Sequence, residues 1–192
     1  SDLIISLKKV SNDTYLKIFD GNIYKNEVSP TNYDVLKSEA KLILNNENYN
    51  FTTGFQSYED LNLSNTDRYQ FILPYYDFNR QIFENNYTGT INFSSSGSND
   101  LNNTNNLRTK VVNDLNFQSP DFISKNGFKS AYNVYFKNLN TIAKNDSIYK
   151  TNPQMELMSI FELNTSFPLV NQAKNSTNYP VSYTHLRAHE TT

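Results

Sequence analysis

Few residues in this 192-residue chain have the types and spacing for chemistry, and those few argue against most kinds of catalysis. His185 and His189 are the two histidines; four residues apart on a helix, they would offer two imidazoles to one metal ion. The absence of Cys removes disulfides, thiolate nucleophiles and thiolate metal sites together. A carboxylate pair of the glycosidase kind could be drawn from Glu59, Asp60, Asp67 and Asp77, but solvation of loops and rims accounts for all four. Residues 100–106 are rich in calcium-type oxygens yet lack the central Gly and closing Glu of an EF-hand loop, and they read as an Asn-rich turn. No glycine-rich phosphate loop is present. The chain does not read as an enzyme, and no cofactor or metal is expected.

What remains is a set of cations placed by a regular pattern. In residues 36–44, Leu36, Ala40, Leu42 and Leu44 share one side with Ser38, while Lys37, Glu39 and Lys41 share the other. This two-residue alternation is that of a strand. After a short turn at residues 45–48, Tyr49, Phe51, Thr53 and Phe55 return on one side. Tyr69, Phe71, Leu73 and Tyr75 then alternate with Gln70, Ile72, Pro74 and Tyr76. Pro74 has no amide hydrogen to give a ladder, which predicts a bulge, a sheet edge or a bend there. Further strands centre on Ile91, Val111, Val134 and Leu157, with Arg108 and Lys110, and then Lys129 and Lys137, opposite the apolar residues. Lys37, Lys41, Arg108, Lys110, Lys129 and Lys137 are therefore the candidate functional residues, all on the polar side.

The links are read as turns and loops: a hairpin or bulged strand over residues 3–9 and 15–19, a long loop over 20–34, and loops at 59–66, 79–86, 95–106 and 141–153. No 3.6-residue pattern competes with the alternation. The expected fold is all-β, an antiparallel up-and-down meander.

Composition bounds the partners. A net charge of −2 with scattered Lys and Arg gives no footprint for nucleic acid. No apolar run is long enough for a membrane helix, although membrane strands, whose lumen-facing residues are polar, would leave the same low mean hydropathy of −0.66. Fourteen Tyr and thirteen Phe favour strands, and thirty-one Asn are a compositional bias that by itself generates several Asn-x-Ser/Thr triplets. The chain opens on residues that already read as strand, with no initiator Met or basic leader, as a piece cut from a longer protein would. Residues 182–192 hold both His and none of the Asn. Their run Ser-Tyr-Thr-His-Leu-Arg-Ala-His-Glu-Thr resembles a translated sequencing-adapter tail, so the division expected is 1–181 for the β domain and 182–192 for a non-native tail.

Alternation alone leaves a soluble sandwich and a membrane barrel both open, since each keeps one side of every strand free of charge. Ten residues at about 3.3 Å each, tilted about 45°, climb roughly 23 Å, close to the apolar band of an outer-membrane barrel.

Several runs in order carry a resemblance: Tyr58-Glu59-Asp60-Leu61, Asp67-Arg68-Tyr69 with Leu73-Pro74-Tyr75-Tyr76, Asn113-Asp114-Leu115, and Phe136-Lys137-Asn138-Leu139-Asn140. Together, from about Leu7 to the Phe167-Pro168-Leu169 segment, the chain resembles the barrel of the LptD family of lipopolysaccharide-assembly proteins, most of all its alphaproteobacterial members. The resemblance implies a transmembrane β-barrel of roughly 26 strands in the Gram-negative outer membrane. This stretch would supply eight or nine middle strands, a curved open sheet when isolated. It implies transport of lipopolysaccharide into the outer leaflet, an LptE-like lipoprotein plug in the lumen, contact with outer-membrane lipid, and a periplasmic transport bridge reached through an N-terminal jelly roll outside this stretch. The six cations would then face the lumen, toward phosphates of the lipid or carboxylates of the plug. Enteric relatives depend on disulfides, which this stretch lacks. The alternatives are a secreted soluble β-sandwich that binds glycans, and another outer-membrane barrel such as a substrate receptor.

Overall fold

The computed structural model describes residues 1–18, 33–103, 105–168, 171–173, 176–178 and 181–191, from Pro168 onward by backbone. The chain is all-β, and its strands follow one another across a single open antiparallel sheet. The order is β1 (Asp2–Ser6), β2 (Val35–Asn45), β3 (Tyr49–Asp60), β4 (Tyr69–Asn85), β5 (Gly89–Asn102), β6 (Asn106–Gln118), β8 (Lys129–Lys144), β9 (Gln154–Pro168) and β12 (Val181–Thr191). The two-residue β7 (Phe122–Ile123) adds to β8, and β10 (Asn171–Ala173) pairs with β11 (Ser176–Asn178) as a separate ribbon. The expected up-and-down meander is the observed topology.

Strands are longer and links shorter than the alternation alone implies. Residues 79–85 and 95–102, read from sequence as loops, extend β4 and β5 instead. Asn and Ser there carry no periodicity, but their peptide groups satisfy a ladder as well as any others. The β4–β5 turn is closed by the Asn85 side chain accepting from the Tyr87 amide at 2.8 Å, with Gly89 at a φ of 110°. The β5–β6 turn uses Asn103 at a φ of 49°, a left-handed geometry that Asn tolerates. Pro74 lies inside β4, between β3 and β5, and the Leu73–Pro74 peptide is cis; the strand neither ends nor lies at an edge there.

A second correction concerns residues 15–19. Tyr15–Ile18 is one helical turn, α1, rather than the return strand of a hairpin. Asn12 explains it: its Oδ1 accepts from the Thr14 amide at 2.9 Å and its carbonyl from the Tyr15 amide at 3.1 Å, starting a turn that Leu16 completes by burying its side chain. Phe19 and almost all of the expected 20–34 loop lie outside the described residues.

Of residues 182–192, set aside from sequence as a non-native tail, 182–191 continue strand β12 and pair with β9, from Ser182 opposite Phe167 to Thr191 opposite Met158. Main-chain pairing is indifferent to side-chain identity, and a fifteen-residue strand such as β9 offers its edge to any segment that reaches it.

Packing divides the chain into two compact units. The first comprises Ser1–Phe78, Ser95–Val112 and Asn140–Met155. Its core is small: Leu16, Leu36 and Leu61, at 5%, 2% and 6% exposure, with Val10 and Tyr33 against them. Burying Leu36 contributes about 1.5–3 kcal/mol. Arg68 closes this end by donating to Asp13 and, at 2.8 Å, to Glu59. The hydrogen bond to Arg68 holds the Asp13 carboxyl below its ordinary range. The second unit comprises Asn79–Ser94, Asn113–Leu139 and Glu156–Thr192. Its side chains join through rings: Phe117 and Tyr132 at 5.5 Å, Tyr132 and Phe161 at 6.2 Å, Phe128 and Phe167 at 5.0 Å between centroids. Such pairs contribute about 0.5–1.5 kcal/mol each.

Candidate functional site: the charged side of the strands

All six sequence-chosen cations lie on strands, and most already hold a carboxylate of this chain. In β2, Lys37 and Lys41 both reach Glu39, two residues away on the same side, at 2.5 and 3.0 Å. Lys129 meets Asp121 at 2.7 Å, and Lys137 meets Asp114 across the β6–β8 pair at 3.3 Å. Arg108 donates to Asp146 at 2.7 and 3.0 Å and lies 4.9 Å from the centre of the Tyr149 ring. Among the described residues Lys110 alone of the six makes no ion pair.

The Arg108 cluster organises the β8–β9 link. Asp146 Oδ1 accepts from the amides of Ile148 and Tyr149 at 2.7 and 2.9 Å while Oδ2 takes the guanidinium. These amide bonds, reinforced by Arg108, hold its carboxyl below the ordinary range. Asn145, at a φ of 57°, donates from its side chain to the Asn105 carbonyl at 2.9 Å. A thirty-eight-residue separation hides the Arg108–Asp146 pair from any local reading of sequence. The Lys37–Glu39–Lys41 set, by contrast, is visible in its two-residue spacing.

Lys110 lies in an open hollow of about 410 Å³ whose lining comes from four successive strands: Gln56 of β3, Tyr75 and Asp77 of β4, Ser98 and Asp100 of β5, and Lys110 of β6. A second hollow, about 340 Å³, is lined by Phe93, Leu115, Phe136 and Leu157. Beside it Asn113 donates to Asn138 at 3.1 Å, and Asn138 reaches the Glu156 carbonyl at 3.5 Å. In sequence this amide pair is concealed because it interrupts an apolar alternation.

The other residues weighed for chemistry are spread over several elements. Glu59 and Asp60 are consecutive in β3 and so point to opposite sides; Glu59 takes Arg68 and the Tyr69 hydroxyl, and Asp60 takes the Asn62 amide. Asp67 is in a single 3-10 turn, and Asp77 lines the Lys110 hollow. Asp100 and Asn102 belong to β5 and Asn106 to β6, with a tight turn rather than a calcium loop between them. His185 and His189 are on strand β12 rather than on a helix, their α-carbons about 13 Å apart. Among the described residues no group of three or more His, Cys, Asp or Glu could hold a metal ion. No helix of the described residues is long and apolar enough to cross a membrane. No protein-family model matches the chain, and no curated protein does.

Proposed function

We propose that this chain is a length of the wall of an outer-membrane β-barrel of the LptD type, its uncharged side toward lipid and its charged side toward a water-filled lumen. On this reading its work is the passage of lipopolysaccharide to the outer leaflet of the Gram-negative outer membrane, with no bond made or broken. Lipopolysaccharide, an LptE-like plug and the periplasmic transport bridge are its partners, the last through a domain outside this stretch.

The observation that supports this best is the state of the uncharged side. Phe55, Phe136, Leu157 and Phe161 are 54%, 53%, 46% and 45% exposed on strands of 12 to 16 residues. In water such a side is an aggregation liability, whereas in hydrocarbon it is simply solvated. The resemblance in the residue runs around Asp67, Asn113 and Phe136 points the same way. Five of the six cations are balanced within the chain, so on this reading they shape a solvated, nearly neutral lumen wall more than they draw in phosphate.

The absence of Trp makes a clean test possible. Phe136→Trp and Tyr135→Trp, neighbours on opposite sides of β8, are each refolded into vesicles containing brominated phospholipid. Strong quenching is expected at 136 and little at 135. A residue-136 reporter that only aqueous quenchers reach, in a protein that stays monomeric without detergent, would replace this reading with the secreted β-sandwich.

A further inference from the structure

We infer that the hollow around Lys110 is a binding site for a neutral, hydroxyl-rich saccharide. The chemistry of the hollow is independent of what touches the opposite side of the strands. Beside the apolar Ile72 and Val112, its lining joins polar groups of three kinds. Asp77 and Asp100 only accept hydrogen bonds, Lys110 only donates, and Ser98 and Gln56 do both. A sugar hydroxyl donates and accepts at once, so adjacent acceptor-only and donor-only groups suit it. Tyr75 adds a ring against which the C–H side of a pyranose can lie.

Charge narrows the ligand. Two carboxylates beside one ammonium disfavour an anion such as phosphate. The ammonium disfavours a divalent cation, and the described residues form no metal-holding cluster elsewhere. Lys110 is also the candidate cation left without an ion pair among the described residues, so its three N–H bonds are available to a ligand. Four strands contribute, about 4.8 Å apart, so the polar groups recur across roughly 14 Å. That is a row suited to successive sugar rings rather than to one small ion.

The test uses the full chain, labelled with nitrogen-15 and refolded in lauryldimethylamine oxide micelles, whose head group carries no sugar. Maltotriose, chitotriose and inorganic phosphate are titrated separately. Saturable shifts of the Ser98, Asp100 and Lys110 amides with at least one trisaccharide are expected. Lys110→Met and Asp100→Asn should each weaken that binding by about five-fold or more, as the loss of a hydrogen bond to a charged group does. Lys129→Met should leave it unchanged. Should either charge change prevent refolding, Ser98→Ala reads the same loss more gently. Silence with both sugars, shifts that survive all the substitutions, or a stronger response to phosphate than to either sugar would overturn the inference.

Discussion

Two hollows of similar volume, about 410 Å³ at Lys110 and about 340 Å³ at Phe136, differ in lining although strand β6 contributes to both. Lys110 and Val112 line the first; Asn113, Asp114 and Leu115 line the second. The ladder treats every residue alike, so the side chains decide what each hollow presents. Along any one strand successive side chains take opposite sides. A slip of one residue in pairing would carry a strand's polar residues into the place of its apolar ones, and register is therefore specified wherever the two sides of a strand meet different surroundings. The polar hollow is crowded with groups that water or a ligand can satisfy. The apolar one also takes in Asp114, Lys137 and Ser159 beside its amide pair, in which Asn113 donates to Asn138 and Asn138 to the Glu156 carbonyl.

The largest effect expected from breaking this contrast is at Phe136. In a phospholipid bilayer Phe136→Arg should destabilise the refolded chain by about 2–4 kcal/mol, measured by urea titration in vesicles. A water-facing side would instead tolerate it within about 0.5 kcal/mol. Lys110→Met, on the other parity, should change stability little in the same assay. The next effect is at the amide pair. Asn138→Leu deprives Asn113 of an acceptor and should cost about 1–3 kcal/mol, while the double variant Asn113→Leu with Asn138→Leu should recover most of that loss. A double variant as unstable as the single one would mean that the amides serve water rather than each other.

Why one hollow was more legible than the other follows from the same contrast. The alternation of Leu36, Ala40, Leu42 and Leu44 against Lys37, Glu39 and Lys41 is local, so both the strand and its ion cluster could be read directly. The same rule puts Lys110 at a polar position of its strand. Its companions Gln56, Tyr75 and Asp77 come from other strands, and only the pairing order brings them together. The extension at 95–102 is hidden because Asn and Ser there mark turns as readily as strands, and that at 79–85 because the adjacent Ile82 and Phe83 break the alternation between Asn79 and Asn85; neighbour pairing decides both. At Asn12 the turn signal was seen, but the helical turn that it starts depends on Leu16 finding Leu36 and Leu61, which no local pattern reveals.

The smaller effects concern charges rather than linings. Because the folded Asp146 carboxyl titrates below its ordinary value of 3.8, its contribution is present at neutral pH and is lost as pH falls from 3.8 through the lowered value. The amide proton resonances of Ile148 and Tyr149 should move together in that acid range, and Asp146→Asn should abolish the step while leaving an acceptor for the two amides. Smallest of all is the Lys137–Asp114 pair on the charged side. Both side chains are substantially exposed, at 48% and 38%, although the Asp114 Oδ1 that Lys137 meets is itself covered, so Lys137→Met should cost about 1 kcal/mol, and less in high salt. Phe136, the residue before it in β8, should by then have shown a several-fold larger loss. If Lys137→Met instead proves as damaging as Phe136→Arg, the charged side is the one shut away from water, and the assignment of the two sides must be reversed.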